Sequence, residues 1–149
     1  MKILTTLSVA ALVAMPVAAN AAHKSTFEHN GQSMTVHYEP KLTTKLRQGG
    51  LGPRLMPYCM WEARVSVERT AATADGREIS ALGRVIPAEA VHKGQANGYC
   101  HDMSDSQKAG FVGGADALHA MAGSVAANDA VELRRDLSSL KLLASAAPL

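Results

Sequence analysis

Aromatic residues and long apolar segments are scarce in this chain of 149 residues, and each shortage excludes a class of protein. Aromatic side chains make up 4% of the sequence, and the formal net charge is only +2. Proteins that bind single-stranded nucleic acid need aromatic stacking platforms on a basic surface, so we expect no nucleic-acid partner. Beyond the N-terminal region, no segment approaches the roughly 18 apolar residues of a transmembrane helix. We therefore expect no transmembrane segment in the mature chain.

Motifs for common catalytic chemistry are also missing. The chain has no Gly-x-Ser-x-Gly elbow for a nucleophilic serine, and Gly49–Gly52 and Gly110–Gly114 lack the Lys-Ser/Thr of a phosphate-binding loop. It has no Cys-x-x-Cys, which excludes a thioredoxin-type motif and ordinary c-type haem attachment. The best acid/base pair is His101 with Asp102, and the sequence places no nucleophile beside it. We expect a non-catalytic protein, with enzyme activity as the less favoured alternative.

The N-terminus has the three regions of a secretory signal peptide. Lys2 supplies the positive charge, an apolar segment follows it, and Ala19–Ala21 offers small residues at the positions that a signal peptidase reads. We predict a signal peptide over residues 1–21, with cleavage between Ala21 and Ala22. The mature protein is then expected outside the cytoplasm, in the periplasm or secreted.

The mature chain, residues 22–149, is long enough to bury a hydrophobic core and is predicted to form one domain. Its two cysteines, Cys59 and Cys100, would reach an oxidising compartment, where free thiols seldom persist. We therefore predict a Cys59–Cys100 disulfide. It would close a loop of about 40 residues and stabilise the fold by about 4 kcal/mol, by restricting the unfolded chain.

The first half of the mature chain alternates apolar and polar residues, which predicts a β-hairpin. Residues 25–29 and 32–39 flank Asn30-Gly31, a pair that favours a type I′ turn. Pro40 is expected to end the second strand. The predicted buried face of that strand consists of Met34, Val36 and Tyr38.

A second hairpin is predicted after a loop. Residues 48–57 are rich in glycine and proline, which disfavours regular structure. Residues 61–68 and 79–85 then alternate on either side of Asp75-Gly76. Residues 87–98 are expected to form a loop or a short helical turn. The predicted buried face of the first strand consists of Trp61, Ala63, Val65 and Val67.

From residue 104 the apolar spacing becomes helical, and two helices are predicted. Ser104 and Gln107 form a capping box, and Asp129 with Glu132 marks the start of the second helix. Strands followed by helices, without βαβ alternation, indicate an α+β domain: an antiparallel sheet of two β-hairpins followed by two C-terminal helices packed on one face. The two apolar stripes contain Phe111, Ala115, Leu118, Ala122 and Val125, and then Leu133, Leu137, Leu140 and Ala144.

The predicted disulfide would bring together side chains that suit a soft metal ion. Thioether and imidazole groups are ligands that Cu(I) accepts without a free thiolate. Against this reading, methionine commonly fills gaps in a core, and strand alternation points Met60 and Trp61 to opposite faces. Copper is therefore the alternative to having no cofactor. The predicted ligands are Met56, Met60, His101 and Met103.

One local charge asymmetry stands out in the segment from Pro40 to Trp61, which contains four cations and no acidic residue. Such a segment could bind an acidic envelope polymer, and a solvated loop is the ordinary alternative. The sequence thus predicts a small exported, non-catalytic binding or structural component of the cell envelope, with a Cu(I)-binding protein as the alternative. It determines neither the envelope partner nor the oligomeric state. The four cations are Lys41, Lys45, Arg47 and Arg54.

Overall fold

A computed structural model describes residues 22–50, 52 and 55–146 and confirms the predicted α+β class. The predicted signal peptide with Ala21, and also Arg54, lie outside the described residues. Within the described ranges, no helix is both long and apolar enough to cross a membrane. Four antiparallel strands pair in chain order, and two α-helices follow them: β1 (His23–His29), β2 (Gln32–Gly49), β3 (Tyr58–Thr73), β4 (Arg84–Asn97), α1 (Asp105–Gly110) and α2 (Gly114–Ala146).

The first hairpin forms as the sequence predicts. Asn30 and Gly31 both take positive φ angles, of 54° and 76°, as a type I′ turn requires. The register then sets His29 opposite Gln32 and continues to the start of β1. The predicted face of β2 is buried, with relative exposures of 6% or less, at Met34, Val36 and Tyr38.

The prediction that Pro40 ends β2 is wrong, because the strand continues to Gly49. Ala71 accepts a hydrogen bond from the Ile79 N–H and so directs its main chain away from β2. Val36, opposite Ala71, must therefore direct its own main-chain groups toward β1. Pro40 lies four residues after Val36, so its main-chain groups point to the same side of β2, away from β3. Its missing N–H therefore removes no hydrogen bond from the β2–β3 ladder, and β1 does not extend far enough to pair with it.

The second hairpin differs from its prediction at the returning strand. Residues 80–82 form a 3-10 turn, and β4 begins only at Arg84. β4 then occupies the segment 87–98 as far as Asn97, where we expected a loop or helical turn. Pro87 is tolerated because β4 is an edge strand. Gly94 is required there because a Cβ atom on it would lie 2.4 Å from Cζ2 of Trp61.

The boundary between the two helices also differs from the prediction. The Ser104 capping box is present, with the Ser104 side chain accepting from the Gln107 N–H. The helix it begins ends at Gly110, because Gly113 and Gly114 take positive φ angles and interrupt the helical path. α2 then runs without a break through Asp129, which is not a helix start.

The helices cover one face of the sheet and form two core clusters with it. We call the half of the sheet that contains β1 the hairpin end, and the half around Cys59 the disulfide end. The core of the disulfide end is small and includes Trp61, whose ring stacks on that of Phe111 at a centroid distance of 4.0 Å. Its buried members are Ala63, Val65, Val112 and Leu118. Those of the hairpin end are Met34, Val36, Tyr38, Val67, Ala71, Leu82, Ala122, Ala126, Leu133 and Leu137.

Candidate functional site

The predicted disulfide between Cys59 and Cys100 is present, with the two Cα atoms 5.0 Å apart. Cys59 is fully buried. Gln48 joins the same region, since its side chain donates to the Tyr58 carbonyl at 2.9 Å and accepts from the Cys100 N–H at 2.8 Å. The disulfide end therefore ties β2, β3 and the segment after β4 to one another.

The disulfide brings the segments of the predicted copper ligands together, but alternation separates the side chains. Cys59 points to the helix-covered face, so its neighbour Met60 points to the opposite face. Met56 precedes β3 and is 87% exposed. His101 and Met103 follow Cys100 on the other side of the bridge. The copper site remains a prediction, since the bridge joins the neighbours of Met60 and His101 while the alternation of β3 turns the Met60 side chain to the opposite face from Cys59.

His101 and Asp102, the best acid/base pair in the sequence, contact each other at the surface. The His101 Nε2 lies 3.2 Å from Asp102 Oδ1, and the side chains are 76% and 67% exposed. The Tyr99 ring lies 5.3 Å from the imidazole. No group of three or more His, Cys, Asp or Glu side chains that could hold a metal ion occurs in the described part of the chain.

A buried ionic network at the hairpin end was missed by the sequence analysis. Arg69 of β3 is 1% exposed, and its guanidinium lies 2.7 Å from Asp129 Oδ2 and 2.6 Å from Asp136 Oδ2. The Arg69 Nε also donates to the Leu82 carbonyl at 2.8 Å. Tyr38, opposite Arg69 on β2, donates its hydroxyl to Asp129 at 3.1 Å. These contacts tie α2 to the sheet.

One signal in the sequence could have revealed this network. Arg69 has the same parity as Val65 and Val67, so the alternation of β3 directs it to the buried face. A buried arginine requires acidic partners, and α2 supplies two of them. Asp129, which we predicted as the cap of a second helix, is one of these partners.

The chemistry of the network is structural. Burial raises the pKa of Tyr38, and the charge of Asp129 raises it further, so the phenol stays protonated. Two cavities adjoin the network, and Arg84 lines both. Asp136 lines the first, of about 370 Å³, and Asp129 lines the second, of about 440 Å³. The Arg69 side chain donates to two carboxylates and one carbonyl, so three of its five N–H donors bond other parts of the fold.

Among the side chains that the structure describes, cations outnumber anions on the uncovered face of the sheet at the disulfide end. Glu62 of β3 contacts Arg64 at 2.8 Å and Lys93 of β4 at 3.3 Å. The hydrogen bonds from these two cations lower the pKa of Glu62. Lys45 lies opposite Glu62 in the register, and Arg47 lies opposite Met60. We call this group of four cations and one anion the basic patch: Lys45, Arg47, Glu62, Arg64 and Lys93.

The same face is balanced at the hairpin end. Lys41 lies 2.8 Å from Glu39 and 3.6 Å from Glu68, so two acids accompany one cation. The hydrogen bond that Lys41 donates to Glu39 raises the pKa of Lys41. On β1, Lys24 and Glu28 share this face, since their register partners on β2 do. The charge asymmetry is therefore confined to one end of the sheet.

The disulfide end also has an exposed strand edge. β1 begins at His23, opposite Tyr38, so no described strand pairs with that side of β2 beyond this point. We call residues 40–48 the open edge. Every second residue after Pro40 directs its main-chain N–H and C=O away from β3, on the same side as the Pro40 C=O. These residues are Leu42, Thr44 and Leu46, and none of their outward groups bonds another described residue.

Comparisons with known proteins find no relative, since no family model, curated protein or solved structure matches the chain. The class of protein is therefore defined by its own fold. It is a disulfide-linked α+β domain in which helices cover one face of an antiparallel sheet. The other face and one strand edge are exposed at the disulfide end.

Proposed function

We propose that this protein is an exported, non-catalytic binding protein of the cell envelope that holds an anionic partner on the basic patch. The signal-peptide pattern of residues 1–21 supports export. A disulfide is typical of proteins that work in an oxidising compartment, which supports the same location.

The charge of the basic patch is the observation that carries this proposal. Glu62 is shared between Arg64 and Lys93, while Lys45 and Arg47 have no acidic contact within the described residues. All four cations lie on the sheet face that no helix of the described residues covers. Clustered, exposed cations create a local positive potential that attracts anions and speeds their association. Envelope polymers and acidic proteins both offer such a partner.

The proposal is tested by retention of the mature protein on immobilised heparin, used as a polyanion probe. We expect a Lys45→Gln, Arg47→Gln variant to elute at clearly lower salt than the wild type, because it loses half of the cations of the patch. The matched control is Lys24→Gln, Arg77→Gln, which removes the same charge from β1 and from the turn that follows β3, both at the hairpin end. Equal losses in both variants would show a net-charge effect and reject the patch.

Copper binding is the second candidate, supported by the disulfide, which joins the residue before Met60 to the residue before His101. It predicts that Cu(I) raises the thermal midpoint and that a Met60→Ala, Met103→Ala variant abolishes this gain. An unchanged midpoint in the wild type would reject it.

Mass spectrometry of the exported protein tests processing, with a mature chain beginning at Ala22 as the expected result.

A further inference from the structure

We propose that the open edge of β2 accepts an extended acidic polypeptide segment as an added strand. The inference rests on the proposed function for the charge of the partner. It goes further by naming a polypeptide, rather than a polysaccharide or a lipid surface, as the partner. An added strand would continue the line of β1, which begins opposite Tyr38.

The main chain of the open edge is suited to strand addition. Leu42, Thr44 and Leu46 each direct an N–H and a C=O outward, and these groups bond nothing else within the described residues. Unpaired groups of this kind form a template on which an extended peptide adds through main-chain hydrogen bonds. Only a polypeptide supplies donors and acceptors at the matching spacing.

The side chains of the open edge specify what kind of strand would add. Lys41, Lys45 and Arg47 are exposed at alternate positions on the uncovered face, so acidic side chains on that face of an added strand would lie opposite them. On the helix-covered face, Leu42 and Leu46 are half-buried. A segment that alternates acidic and apolar residues is therefore complementary to both faces.

A second copy of this chain is a poorer occupant. Pairing two open edges antiparallel about Thr44 would set Arg47 opposite Lys41, and parallel pairing in register would set each cation beside its own copy. Like charges directly opposite one another destabilise a sheet. The other long edge, β4, is interrupted by a register shift opposite residues 64–66 and by Pro87, which lacks an N–H.

The test uses a short synthetic peptide of alternating Glu and Val, with binding measured by titration and amide hydrogen exchange. We expect the peptide to protect the amides of Leu42, Thr44 and Leu46. A Thr44→Pro variant removes one outward N–H, at a position that faces the same side of β2 as Pro40, where proline is already tolerated. We expect about tenfold weaker peptide binding, equivalent to about 1.4 kcal/mol. Its heparin retention should be unchanged.

Controls separate this inference from the proposed function. The same peptide, N-methylated on the residues that face β2, should lose binding to the wild-type protein even if Thr44→Pro fails to fold. Peptide binding without protection of the three amides, or unaffected by N-methylation, would overturn strand addition and leave the basic patch intact. If the three amides were protected without peptide, and their protection increased with protein concentration, the occupant of the open edge would be a second copy of the chain. If the Lys45→Gln, Arg47→Gln variant retained both heparin retention and peptide binding at the wild-type level, the proposed function itself would be rejected.

Discussion

The two ends of the sheet are stabilised by different means, although the same strands and the same helix span both. At the hairpin end, a larger apolar core surrounds the ion network of Arg69, Asp129 and Asp136. At the disulfide end, the core is smaller and is supplemented by the Cys59–Cys100 bond and the stack of Trp61 on Phe111.

The exposed surfaces of the two ends differ in a related way. Cations at the hairpin end have acidic residues near them, as in the contacts of Lys41 with Glu39 and Glu68. The disulfide end carries unbalanced positive charge and an unpaired strand edge, both of which favour binding over stability. A covalent bond is insensitive to surface charge, so this end can hold a binding surface without a large core. Under the proposed function, the larger core and the ion network lie in one half of the sheet and the binding surface lies in the other.

The largest expected effect is the loss of Arg69, which would leave the buried carboxylate of Asp129 without its cation. We expect Arg69→Met to lower the free energy of unfolding by about 3–5 kcal/mol. Urea denaturation measures this, with Arg64→Met on the basic patch as the matched control. A double variant, Arg69→Met with Asp129→Leu, should recover part of the loss, because no buried charge remains unpaired. If Arg69→Met and Arg64→Met lowered the free energy of unfolding equally, the two ends of the sheet would not differ in how charge contributes to stability.

Loss of the disulfide is expected to act on the other end. A Cys59→Ala, Cys100→Ala variant should lose about 2–4 kcal/mol of stability, because the unfolded chain is no longer restricted by the bond. Amide hydrogen exchange should rise most along residues 58–63 and 94–100. An equal rise along β1 would show that the two ends unfold as one unit.

Removal of the Tyr38 hydroxyl should have a smaller effect, with a pH signature. Tyr38→Phe loses the hydrogen bond to Asp129 and should cost about 1 kcal/mol at neutral pH. Burial raises the pKa of Tyr38 above its ordinary value of 10.0, so the protonated phenol stabilises the fold fully below pH 10 and this contribution falls as pH rises further. Wild-type stability should therefore decline more steeply above pH 10 than that of Tyr38→Phe, as urea denaturation at several pH values would show. Parallel declines would contradict a raised pKa.

The smallest expected effect on stability belongs to the basic patch. Lys45→Gln with Arg47→Gln should change the free energy of unfolding by no more than about 0.5 kcal/mol, since both side chains are exposed and neither has an acidic contact within the described residues. Thermal denaturation measures this. A large loss would mean that the two cations stabilise the sheet, and would weaken their assignment to binding.

Features that depend on neighbouring residues were predicted correctly from the sequence. The turn at Asn30-Gly31 follows from the positive φ angles that this pair accepts, and the capping box follows from Ser104 and Gln107 three residues apart. The buried faces of β2 and β3 follow from alternation alone. The pairing of Cys59 with Cys100 needed only the expectation of export, since no other cysteine competes.

Tertiary structure decided the features whose partners are distant in the chain. The sequence predicts that Pro40 ends β2 and that residues 87–98 form a loop or helical turn. Instead, an open strand edge accepts Pro40, and β4 runs through Gly94, where a Cβ atom would collide with the Trp61 ring. Asp129 was read as a helix cap, yet Arg69, sixty residues away, holds it inside the fold. The physical reason is that local pattern fixes backbone preference and side-chain direction, whereas burial, charge pairing and exposed edges depend on which segments meet.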